Sequence, residues 1–178
     1  MTSRPQQFSD AVPTVLVIDD SMDVHRLLRA RLRHEEIELI SAEDGKSGIE
    51  VAKSSHPAMI LLDLDMPDMD GFEVLRCLKN EPATLDIPVI VLSGLQSAQD
   101  KVMAFDLGAI DYITKPFNLT ELRVRVRSAL RMHRLMQMLA QCAQIDGLTG
   151  LWNRSYLDKR WSDDVSANHR HGRPLSLA

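Results

Sequence analysis

Three carboxylates, a hydroxyl and an ammonium group each follow a short apolar run in this chain. Val15-Leu-Val-Ile leads into Asp19 and Asp20, Met59-Ile-Leu-Leu into Asp63, Val89-Ile-Val-Leu into Ser93, and Tyr112-Ile-Thr into Lys115-Pro116. Crowded carboxylates repel one another, and a cation relieves the repulsion. Mg2+ prefers such hard oxygen ligands, keeps several waters and binds with the help of phosphate oxygens. With a cation in place, one carboxylate can act as nucleophile toward a phosphoryl group, a transfer that needs mainly positioning and charge neutralisation. Lys115 would supply a positive charge and Ser93 a donor to a phosphoryl oxygen. Asp63 is the best nucleophile candidate, because its strand is expected in the middle of the sheet. Singly, an Asp after a strand is more often a cap or turn residue, and a lone Lys-Pro is usually a turn. The combination, in order and each at a strand end, carries the inference.

The elements that must position these residues alternate regularly. Apolar runs of this length read as buried parallel strands, and open parallel sheets bind ligands outside the carboxyl ends of their strands. After Asp19-Asp20, Val24, Leu27, Leu28 and Leu32 recur at helical spacing. A short strand is expected near 37–41, and a weaker helix is marked by Ile49 and Ala52. The turn-rich loop Met66-Pro-Asp-Met-Asp-Gly71 precedes a helix whose face is Phe72, Leu75 and Leu78. The fourth strand leads to a helix carrying Val102, Met103 and Leu107, and Tyr112 to Thr114 forms the fifth strand. Five βα units predict an α/β fold, a doubly wound five-stranded parallel sheet.

From residue 119 to about 145 there is no proline or glycine, which predicts one helix on the order of 40 Å long at about 1.5 Å per residue. Beyond the sheet its apolar residues continue through Met132, Leu135, Leu139 and Cys142, with Met136, Ala140 and Ala143 beside them, a spacing that can bury against a partner helix. Arg123, Arg127, Arg131 and Arg134 share a face, expected to be solvated or else to meet an acidic surface across an interface. The chain has 178 residues and a net charge of −4, which argues against nucleic acid as main partner. Cys77 and Cys142 lack metal-ligand spacing and are expected to stay reduced in the cytoplasm. No apolar run would span a bilayer, and residues 1–12 read as a disordered tail without a signal core.

Asp19-Asp20, Asp63-Leu-Asp-Met-Pro-Asp-Met-Asp-Gly71, Val91-Leu-Ser93 and Asp111-Tyr-Ile-Thr-Lys-Pro-Phe117 together resemble the receiver domain of two-component response regulators over about 14–130. The resemblance implies a flavodoxin-like strand order, 2-1-3-4-5. It implies that Asp63 accepts a phosphoryl group from a sensor histidine kinase or phosphotransfer protein, and that Asp20, Asp63 and the Asp65 backbone carbonyl hold Mg2+ while Asp19 holds metal-bound water. Lys115 is the basic member, its bond to Pro116 is expected to be cis, and Ser93 with Tyr112 falls on the family's switch pair. Asp146-Gly-Leu-Thr-Gly-Leu-Trp-Asn-Arg154 resembles the opening of GGDEF domains, the diguanylate cyclases that condense two GTP into cyclic di-GMP, with Ser155 where a second arginine is usual. Residues 174–178 resemble that domain's first strand, and its catalytic motif does not occur in this chain. The implied organisation is a receiver over 13–131, a helical linker over 132–145 and a truncated GGDEF start over 146–178. A homodimer through the long helix and the Tyr112 face would control the cyclase.

Two rival readings remain at this level. Asp63-Leu-Asp65 also resembles the nucleophile motif of haloacid dehalogenase-like phosphatases, although Asp19-Asp20 lies upstream and the downstream pair Asp163-Asp164 does not follow an apolar strand. The site could also be idle in a stand-alone interaction module, but folding does not require three adjacent carboxylates. The Asp65 side chain is either a solvated loop acid or a charge that alters how water approaches an acyl phosphate. Gly94 is a turn glycine that also leaves the pocket open. His25, His34, His56 and His133 read as structural or surface residues.

Overall fold

The computed structural model describes residues 12–142 together with 152–154, 156, 157 and 161. The expected tail, except Val12, and most of the region after 142 lie outside the described residues. The chain divides into two compact units, with the boundary between His133 and Arg134.

In the first unit the elements are β1 (Thr14–Ile18), α1 (Met22–Leu32), β2 (Glu38–Ala42), α2 (Gly45–Ser55), β3 (Met59–Asp63), α3 (Gly71–Asn80), β4 (Val89–Ser93), α4 (Ala98–Asp106) and β5 (Asp111–Thr114). α5 (Leu119–Cys142) begins there and runs past its boundary. The sheet order is β2-β1-β3-β4-β5, all pairs parallel, as expected, and β3 is the middle strand. Strand side chains alternate between the two faces. Leu16, Ile18, Ile60, Leu62, Val89 and Val91 pack with Ala52 of α2, Val74, Leu75 and Leu78 of α3 and Ala104 of α4. Val15, Val17, Met59, Leu61, Ile90 and Leu92 pack with Leu28 and Leu32 of α1 and Leu122 and Val126 of α5. Covered on both faces, the strands are continuous apolar runs. Met59, Ile60, Leu61 and Leu62 are all at 0% exposure. At about 1.5–3 kcal/mol per buried side chain, those four offset the several kcal/mol that burying a carboxylate at the strand's end costs.

Three helices depart from their sequence pattern. On α1 the buried face is His25, Leu28 and Leu32, while Leu27 is exposed. On α4 Val102 and Met103 point outward, and the core takes Ala104 with part of Leu107. On α5 the basic face is not simply solvated. Arg123 binds Glu35 at 2.8 Å, Arg127 approaches it at 3.9 Å, and Arg125 bridges Asp111 and Glu121 at 2.6 Å each. These contacts tie α5 to the loop after α1 and to the start of β5. Arg131 and Arg134 are exposed.

In the second unit Met136 and Leu139 are exposed. The Trp152 and Tyr156 rings stack with centroids 3.8 Å apart. Asn153 Oδ1 accepts from the Tyr156 amide at 3.1 Å, the bond by which an Asn caps a helical turn. No helix is long and apolar enough to cross a membrane, among the described residues.

Candidate functional site

Register assembles the site. Ile18 pairs with Leu62, so Asp19 emerges beside Asp63, and Asp63 pairs with Leu92, which brings Ser93 alongside on the other flank. Ser93 pairs with Thr114, and its carbonyl accepts from the Lys115 amide at 2.7 Å, which sets Lys115 at the same edge. The Lys115-Pro116 bond is cis, as expected. The structure thus brings the strand-end residues Asp19, Asp63, Ser93 and Lys115 to one edge, with Asp20 beside them.

Asp19 and Asp63 are buried and Asp20 is exposed. One carboxylate oxygen from each of the three lies within 4.8 Å of the others, a spacing that suits a small divalent cation. Lys115 Nζ lies 2.8 Å from both Asp19 Oδ2 and Asp63 Oδ2. Burial pushes the Asp63 carboxyl above its usual range, and Lys115 only partly reverses this. Burial acts to lower Lys115, but its hydrogen bonds to Asp19 and Asp63 prevail and hold it above the usual lysine value. The site is a charge balance, with one ammonium standing between two desolvated carboxylates.

Backbone groups fix the remaining oxygens. Asp19 Oδ1 accepts from the Ser21 amide at 2.8 Å, and Asp63 Oδ1 from the Asp65 amide at 3.2 Å. A Cβ on Gly71 would collide with the Asp63 carbonyl oxygen and the Leu64 Cα, so only glycine lets α3 begin directly behind the loop that carries Asp63. His25 Nε2 lies 2.7 Å from the Asp19 carbonyl. A carbonyl only accepts, so that nitrogen carries the proton, and the ring fastens the acidic loop to α1. Sequence reasoning placed His25 among structural or surface residues without this role, although its spacing to Leu28 and Leu32 marked the buried face.

Asp65 is exposed, as a solvated loop acid would be, and its side chain is also held at the site. Oδ2 accepts from Ser93 Oγ at 2.9 Å and from the Gly94 amide at 2.7 Å. Ser93 Oγ in turn accepts from the Leu95 amide at 3.0 Å. Tyr112 is turned inward at 8% exposure, its hydroxyl donating to the Leu95 carbonyl at 2.9 Å, and Lys101 Nζ stands 5.8 Å from the centre of its ring.

A doubly wound parallel sheet with an acid cluster, a lysine and a serine at its carboxyl edge defines a flavodoxin-like protein. Residues 15–127 match the response regulator receiver domain model, and the chain belongs to that family, a receiver of two-component signalling. It is 42% identical over 117 residues to the probable transcriptional regulator ycf27 of Porphyridium aerugineum, covering 66% of this chain and 48% of that protein. It is 37% identical over 150 residues to the response regulator PleD of Caulobacter vibrioides, covering 76% of this chain and 33% of that one. The chain thus spans half or less of the length of these relatives. The signal receiver domain of a putative LuxO repressor protein from Vibrio parahaemolyticus superposes with a TM-score of 0.68 at 28% identity, over 71% of this chain and 96% of that one. The family sets aside the haloacid dehalogenase-like reading.

Proposed function

We propose that this chain is a phosphorylation switch in which Asp63 is the acceptor. The observation that carries the reading is Lys115 Nζ at 2.8 Å from both Asp19 and Asp63, beside a third carboxylate at the edge where parallel sheets bind ligands. An Asp63 oxygen attacks the phosphorus of a phosphohistidine on a sensor kinase or phosphotransfer protein. The P–N bond breaks, a P–O bond forms, and the imidazole nitrogen takes up a proton. Asp20, Asp63 and the Asp65 carbonyl would hold Mg2+, with Asp19 holding a metal-bound water. When bound, the ion neutralises charge between carboxylate and phosphoryl oxygens. Lys115 faces the phosphoryl group as a second cation. Ser93 donates to a phosphoryl oxygen and Tyr112 packs inward behind it, a two-state element that phosphorylation biases.

The residues after α5 support a cyclase output. Their motif resembles a GGDEF opening, and the capped turn at Asn153 is consistent with the start of such a domain. We propose that 13–131 form the receiver, 132–145 the linker and 146–178 the beginning of a cyclase that takes GTP. The exposed apolar residues Met132, Leu135, Met136 and Leu139 would pair two copies of the linker, so that dimer geometry is the controlled variable. The protein would act in the cytoplasm without binding nucleic acid or membrane.

Acetyl phosphate with Mg2+ should add one phosphoryl group, read by intact mass and lost on treatment with hydroxylamine, and Asp63→Asn should add none. Labelling that persists in Asp63→Asn refutes the assignment. In a longer form carrying the catalytic motif, acetyl phosphate should change cyclic di-GMP formation from GTP. An unchanged rate would leave the receiver standing and remove the output.

A further inference from the structure

We infer that the Asp65 carboxylate is a built-in competitor for the phosphoryl group, holding the Ser93 hydroxyl and the neighbouring Gly94 amide at the strand end where the group would sit. The inference rests on the receiver reading of Asp63. Asp65 follows the acceptor by two residues, its amide donates to Asp63 Oδ1, and its side chain reaches across to the end of β4. It therefore spans the two strand ends that a phosphoryl group on Asp63 would bridge.

The conflict is one of proton count. A serine hydroxyl carries one donor hydrogen and a backbone amide carries one. Both are spent on the same atom, Asp65 Oδ2, at 2.9 and 2.7 Å. The Ser93 oxygen is held from behind by the Leu95 amide, which aims its hydrogen toward Asp65. Neither donor can serve a phosphoryl oxygen until the carboxylate withdraws. A Cβ on Gly94 would stand 3.3 Å from Asp65 Oδ2, so a larger residue there would push the carboxylate back by a few tenths of an ångström. Asp65 is exposed, so it can swing into water when displaced.

The same contact prepares the switch. Ser93 already faces the site and Tyr112 is already inward, tied to Leu95, with a carboxylate supplying the negative charge. Asp65 thus holds the donors in place before the phosphoryl group arrives and then competes for them. It is a positioning residue that sets the threshold for phosphoryl acceptance.

Two measurements on the full chain test this. In metal-free protein, the Gly94 amide proton should lie far downfield and move upfield in Asp65→Ala, as a charge-assisted hydrogen bond is lost. An unmoved Gly94 amide overturns the inference. With Mg2+, beryllofluoride serves as the phosphoryl stand-in. Hydrogen bonds to charged groups are strong enough that Asp65→Ala should bind it about tenfold more tightly than the parent chain, with Asp65→Asn between the two. In a double-mutant cycle, Ser93→Ala should shrink the gain from Asp65→Ala, because only one donor remains to be released. Equal affinities in Asp65→Asn and Asp65→Ala, with a gain independent of Ser93, would assign the effect to charge repulsion at a distance and overturn donor capture. Identical binding in all variants overturns this inference alone. No binding to the parent chain and to Asp65→Ala alike would overturn the receiver chemistry and this inference with it.

Discussion

Replacing Lys115 with methionine keeps most of the side-chain volume and removes the charge between Asp19 and Asp63. The carboxylates are 1% and 3% exposed and the lysine 24%, so water cannot readily take over its role. Breaking a buried ion pair by deleting one partner costs about 3–5 kcal/mol. The quarter of Lys115 that meets solvent places the expectation near the lower end, about 3 kcal/mol. That is a large share of the roughly 5–15 kcal/mol that holds a domain folded. With a urea slope of about 2 kcal/mol/M, the midpoint in EDTA should fall by about 1.5 M. If the three carboxylates form the proposed cation site, Mg2+ should stabilise Lys115→Met more than the parent chain, because it takes over the missing charge. Saturation at about 100 times the dissociation constant returns about 2.7 kcal/mol. The assay is a pair of urea titrations followed by circular dichroism, with EDTA and with Mg2+. A loss below about 1 kcal/mol in EDTA would refute the charge-balance reasoning, and a loss that Mg2+ leaves untouched would refute the cation site.

Three further substitutions probe the scaffold. Gly71→Ala should lower stability by about 3 kcal/mol, the upper end for overpacking, because the added Cβ meets backbone rather than a side chain that can turn away, and calorimetry reads it. Thr84→Val should cost about 1–3 kcal/mol in chemical denaturation, since the buried Thr84 hydroxyl donates to the Leu78 carbonyl at 2.7 Å and valine leaves that acceptor unsatisfied. Thr84→Ser should retain most of the difference. His56→Gly should raise stability by about 0.5–1 kcal/mol, read as a higher melting temperature. His56 ends α2 at φ 44°, where a side chain costs about 1–2 kcal/mol, and the greater freedom of unfolded glycine takes back part of that gain.

The strand ends were legible because strands covered on both faces cannot hide their apolar runs, and a chemically consistent set of polar residues follows them. The middle position of β3 and the strand order came with the βα alternation and the family resemblance. Less could be read from helices. Periodicity reports that α4 has an apolar face, but not that Val102 and Met103 of that face would look outward while the small Ala104 meets the sheet. The Arg123 pair with Glu35 spans 88 positions, so the basic stripe looked solvated. His25 lay on the buried face of α1, yet its tie to the Asp19 carbonyl depends on how the acidic loop turns. The closeness of Asp65 to Asp63 was plain in the sequence. Its bonds to Ser93 and Gly94 were not, since they follow from the path of the loop between β3 and α3.

The bond between Lys115 and Asp19 joins residues 96 positions apart. Closing so long a loop is entropically costly and is recovered only when the intervening strands have docked. Lys115 also follows β5, an edge strand of four residues with a single neighbour in the sheet. Sub-global opening of a protein starts from its least stable parts, and detaching this edge would withdraw the ammonium while leaving Asp63 on the middle strand in place. If Asp63 is the proposed acceptor, its chemistry is contingent on the last piece of the sheet being closed. An incompletely folded chain would hold the acid and lack its counter-ion, so under the proposed function phosphoryl acceptance would report on finished folding as well as on signal.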